Sequence, residues 1–88
     1  EIPSTYKTQL LCCPRGVDIK KWSVYRALQI LQQRGDEQSY NLIMSVRKQD
    51  DLADIVLQIL AFLVKMGWIP PFLKPSPQEI QYLQQICA

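Results

Sequence analysis

Residues 51–67, DLADIVLQILAFLVKMG, are the most apolar run of the chain, and the rest of the chain is arranged around them. Set on a helix at about 100° per residue, the polar positions Asp51, Asp54, Gln58 and Lys65 fall in one stripe about 60° wide, because spacings of three, four and seven nearly complete whole turns. Every other position is apolar or small. Leu52, Val56, Leu60 and Leu63 lie opposite the stripe and are expected to make the deepest contacts, while Ile55, Phe62 and Met66 sit near one of its edges. A helix with so wide an apolar surface needs cover on several sides. Asp50 or Asp51 suits the N-cap, and Gly67 suits the left-handed residue that ends a helix.

A membrane span is the competing reading of the same run. A span needs roughly 20 mostly apolar residues, whereas this one carries Asp54 in its first turn and Lys65 near its end, with Pro70 and Pro71 soon after. The pattern therefore favours a buried helix over a membrane partner.

The chain has 88 residues, 48% of them hydrophobic and 20% charged, which fits one small globular domain rather than disorder or a fibre. A chain of this length buries little more than about 60% of its unfolded surface, so a partner or a second copy adds usefully to its stability. The net charge of +2 divides unevenly: residues 1–34 carry six cations against two anions, residues 35–88 four against six. Lys20, Lys21, Arg26 and Arg34 scatter around their helix rather than forming a basic stripe, so nucleic acid is not the expected partner. The chain begins at Glu1 without methionine, signal peptide or targeting tail, and reads as an excised domain or a processed form. Localisation is unassigned by the sequence, with an intracellular setting favoured over secretion.

Outward from the central run, residues 1–16 read as an extended N-terminal arm, since Tyr6, Thr8, Leu10 and Cys12 alternate with Lys7, Gln9 and Leu11. Residues 17–88 read as the helical core. Asp18 caps a first helix reaching about Arg34, with Val24, Ala27, Leu28 and Leu31 on one face, Ile19 and Ile30 on another, and Trp22 and Tyr25 flanking; Gly35 ends it. Asp36 caps a second helix over about 37–48, in which Tyr40, Leu42, Ile43, Met44 and Val46 are available to pack. Short loops favour antiparallel neighbours. In the crossing WIPPFLKPSP, Pro70, Pro71, Pro75 and Pro77 exclude a helix, and Trp68, Ile69, Phe72 and Leu73 pin it to the core or form a docking surface. Ser76, Pro77 and Glu79 spell a capping box with proline at the first helical position. The helix they open carries Ile80, Leu83 and Cys87 on one stripe, with Tyr82 and Ile86 beside it. The expected fold is all-α: a small four-helix domain with an extended arm.

The chemistry is sparse. Histidine is absent, which removes the commonest general base and the commonest metal ligand. Three glycines provide no phosphate-cradling loop. The cluster Asp50, Asp51 and Asp54 is explained by negative charge at a helix N-terminus and offers too few oxygens for a hard cation. Neither an enzyme nor a cofactor or metal site is expected. Cys12, Cys13 and Cys87 are either reduced core residues, the favoured reading, or candidate disulfide partners, Cys12 or Cys13 joining Cys87.

Residues 25–59, YRALQILQQRGDEQSYNLIMSVRKQDDLADIVLQI, hold Leu28, Leu31 and Arg34 as LxxLxxR and Ile43, Val46 and Arg47 as an IxxVR-like turn, then an acidic step into an apolar helix. In that order the segment resembles a helical part of fungal zinc-cluster transcription factors that lies outside their DNA-binding region. The cysteine-rich DNA-binding cluster of that family has no counterpart here, so no DNA-reading residue carries over. The resemblance implies a regulatory or protein-contact module.

The functional expectation is therefore a non-catalytic protein-interaction or self-association module, a fragment of a larger regulatory protein. Its contact residues are Ile55, Phe62, Met66, Trp68 and Phe72, its partner another protein or a second copy, and no small-molecule substrate is expected. The alternative is a secreted ligand or effector held by a disulfide at Cys87.

Overall fold

The computed structural model describes residues 8–88. Residues 8–10 are helical, and four longer helices follow: α1 (Ile19–Arg34), α2 (Glu37–Ser45), α3 (Gln49–Lys65) and α4 (Pro77–Ile86). The described residues are all helix, turn and coil. α1 and α3 form the principal packed pair and α2 touches both. The Cα radius of gyration is 12.4 Å, close to the roughly 12 Å that a single compact domain of this length predicts.

Local chemistry sets the element ends. Asp18 accepts from the backbone N–H groups of Lys20 and Lys21, and Asp36 from that of Ser39. At the far ends the chain reverses through left-handed residues. Gly35 (φ 73°) donates to the Gln32 carbonyl while Asp36 donates to that of Leu31; Gly67 (φ 77°) donates to Val64 while Trp68 donates to Leu63. Both are Schellman closures, in which glycine avoids the steric cost of positive φ. Ser76 Oγ accepts from the Glu79 N–H at 3.2 Å, as the capping box predicts. The Glu79 carboxylate turns away to accept from Gln29 Nε2 at 3.4 Å, tying α4 to α1.

The N-terminal segment differs from the expected extended arm. Residues 8–10 are helical, Cys12 takes φ 63°, and the Cys13 N–H donates to the Thr8 carbonyl at 2.9 Å. This is the same closure as at the two glycines, with cysteine in the left-handed position. Leu11 is fully buried and anchors the segment in the core. The part of the expected arm over residues 1–7 lies outside the described residues.

The core differs from the expectation by a rotation of α3. Ala53, Leu57, Leu60, Ala61 and Val64 are buried; of the four residues expected deepest only Leu60 is, and Leu52, Val56 and Leu63 are half-buried. Placing the buried face opposite the polar stripe assumes that all the apolar surface turns inward. Instead α3 turns its two alanines inward, where a side chain of one methyl group lets helix backbones approach, and keeps part of its apolar surface outside. α1, which packs on α3, buries Trp22, Ala27, Ile30 and Leu31, so Trp22 is central rather than flanking and Ile19 is exposed. α3 also starts earlier than expected, at Gln49 after Lys48, leaving Asp50 and Asp51 in the first turn and not at the cap. α2 ends at Ser45 and buries only Ile43, with Leu42 and Met44 exposed.

Candidate functional site

The outward face of α3 is the feature that the core leaves over. Ile55, Ile59, Phe62 and Met66 follow one another at spacings of four, three and four, which puts them in a single row along a helix. They are 53, 55, 39 and 52% exposed. On the helical wheel this row lies roughly opposite the buried set Ala53, Leu57, Leu60, Ala61 and Val64, with the polar stripe between them on one side. Single exposed hydrophobic residues are ordinary on a protein surface; four large ones in register along one helix form a patch. Ile55, Phe62 and Met66 were legible from the sequence as an apolar edge. Ile59 completes the row, and its spacing from Ile55 and Phe62 was the signal for it.

Trp68 and Phe72 part company in the crossing. Trp68 is 71% exposed just beyond the end of α3, and Leu73 is 89% exposed. Ile69 and Phe72 pack against the core. Phe72 lies under the Arg26 guanidinium, 5.3 Å from the ring centroid, a cation–π contact. The crossing is thus pinned by Ile69 and Phe72, while Trp68 and Leu73 face outward.

Arg26 is the keystone of that corner. Its Nε donates to the Leu11 carbonyl at 3.2 Å and its terminal nitrogen to Gln29 Oε1 at 2.7 Å. One side chain therefore holds the N-terminal segment, α1 and the crossing together. Burial pulls its pKa below the ordinary guanidinium value, opposed by Cys12 and Glu79 nearby. A cleft of about 460 Å³ opens beside it between α1, the crossing and α4, with Tyr25, Arg34, Lys74 and Glu79 on its walls. Burial, and secondarily Glu79, raises the Tyr25 pKa, and its ring meets that of Tyr82 edge-on at 6.4 Å.

None of the three cysteines is joined in a disulfide in the structure. The Cys12 thiol donates to the Phe72 carbonyl at 3.6 Å and the Cys13 thiol to that of Pro14 at 3.5 Å. Cys87 is buried against the core, and burial raises its thiol pKa. Among the described residues no group of three or more His, Cys, Asp or Glu is placed to hold a metal ion, and no helix is long and apolar enough to cross a membrane. Compared with known proteins, the chain matches no family model, no curated protein and no solved structure.

Proposed function

We propose that this chain is a non-catalytic protein-interaction module whose docking face is the outward row of α3, Ile55, Ile59, Phe62 and Met66, continued by Trp68. The observation that carries the reading is that row itself, exposed opposite the core face of the same helix. Each side chain is already half in contact with the domain. Completing the burial of four such side chains would contribute about 3–6 kcal/mol per face, taking about half of the value for full burial of each. Helix-on-helix docking uses anchors at this spacing. The resemblance of residues 25–59 to a regulatory segment of fungal zinc-cluster factors is compatible with such a role, and the absence of histidine favours docking over catalysis.

The test pairs stability with surface. Phe62→Asp is expected to keep the fold in dilute solution, with a melting midpoint within a few degrees of the parent, and to lower the binding of an apolar dye such as anilinonaphthalene sulfonate. A collapse of the fold in Phe62→Asp, accompanied by a similar loss in Ile59→Asp, would place the row inside the core and remove the docking face.

A further inference from the structure

We propose that the outward row of α3 takes a second copy of this chain, the two α3 helices pairing antiparallel about a two-fold axis near Gln58. The inference rests on the reading of that row as a docking face, and the register along α3 carries it further. Leu52, Ile59 and Met66 stand seven residues apart, as do Ile55 and Phe62, so the five form the alternating seam of a two-helix contact. Beside the seam runs a second row at the same period: Asp51, Gln58 and Lys65. Asp51 and Lys65 are both exposed, opposite in charge, and each seven residues from Gln58.

That symmetry discriminates between the two ways of pairing. In an antiparallel pair the same flanking row of each helix faces its copy. Asp51 then lies opposite Lys65 of the second copy, Lys65 opposite Asp51 of the second copy, and the two Gln58 amides meet near the axis. In a parallel pair each flanking position meets the opposite flank five residues on. Asp51 would face Val56 and Gln58 would face Leu63, both apolar, and neither charge would gain an ionic partner. The helix dipoles give the same preference, because each acidic first turn meets the basic last turn of the other helix. The contact is isologous and closes at two. A 17-residue helix is about 25 Å long. One such pair buries less than a standard protein interface, so the dimer is weak and depends on concentration.

Sedimentation equilibrium of the full chain, kept reduced and sampled from micromolar to millimolar, tests this. The parent is expected to show a monomer–dimer equilibrium. Asp51→Lys and Lys65→Asp should each weaken it roughly tenfold, since each creates two like-charge contacts per dimer, and the double exchange should restore it. The double variant carries the less favourable charge at both helix ends, so recovery of the dimer cannot come from helix stability. A parent that stays monomeric throughout overturns the second copy as occupant while leaving the face to another protein. A dimer in which the double exchange is no better than the single ones overturns the antiparallel register. A dimer indifferent to Phe62→Asp places the contact elsewhere and overturns the docking face as well.

Discussion

Leu57 and Ile59 stand two residues apart on α3, one fully buried and the other 55% exposed, and truncating each to alanine separates the two faces of that helix. Both changes remove three carbons, about 0.8 kcal/mol each when fully buried. At Leu57 the whole transfer is lost and a cavity is left, so Leu57→Ala is expected to cost about 2–5 kcal/mol. At Ile59 less than half of the side chain is out of water, so about 1 kcal/mol is at stake, and the better helix propensity of alanine returns about 0.4 kcal/mol. The net cost is about 0.5–1 kcal/mol. A domain of this size loses roughly 4–8 °C per kcal/mol, so Leu57→Ala should lower the midpoint by roughly 10–30 °C and Ile59→Ala by a few degrees. The assay is thermal unfolding followed by circular dichroism at low micromolar concentration, where association contributes little. Repeated at high concentration, the parent should gain stability that Ile59→Ala does not, because a partner bound only to the folded state raises the midpoint by mass action. Equal losses for the two variants in dilute solution would refute the assignment of the faces.

Four further outcomes are expected. Arg26→Lys should destabilise by about 1–3 kcal/mol in denaturant titration despite keeping its charge, because a lysine cannot supply the planar fork that spans Leu11 and Gln29. Ser76→Ala should cost about 1 kcal/mol through the lost cap of α4, read from the same titration. Hydrogen bonds from the Ser39 backbone and then its hydroxyl hold the Asp36 carboxyl below its ordinary value of 3.8. The stability it contributes is therefore full above the ordinary carboxylate range and is lost as pH falls through the depressed value, so the midpoints of the parent and Asp36→Ala should converge in acid. Buried and with its pKa raised, Cys87 should react with a thiol reagent only on unfolding, while the half-buried Cys12 and Cys13 react first. Three titratable thiols in denaturant without reductant would argue against the secreted, disulfide-held alternative.

Much of the helical framework was legible because its signals are local. Asp18, Asp36 and Ser76 begin helices with side-chain oxygens that reach the next turn, and Gly35 and Gly67 end them by taking positive φ. The turn after residues 8–10 uses the same closure without the glycine that signals it, because Cys12 occupies the left-handed position. Alternating residues in a short segment fit a strand pattern as well as a helix end, and the burial of Leu11 decides between them. Arg26 was equally illegible as a keystone, since its partners lie fifteen residues back in the chain and, through Phe72, beyond α3.

From the residue order alone, residues 51–67 carry a helix with a single polar stripe, most of whose circumference is apolar. That is periodicity, which needs no neighbour to be read. Which apolar side turns inward depends on the helices packed against it. Small residues let packed helices come close, and α3 is rotated so that Ala53 and Ala61 are buried with Leu57, Leu60 and Val64. α1 and α2 pack on α3, and no element of the described chain covers Ile55, Ile59, Phe62 and Met66.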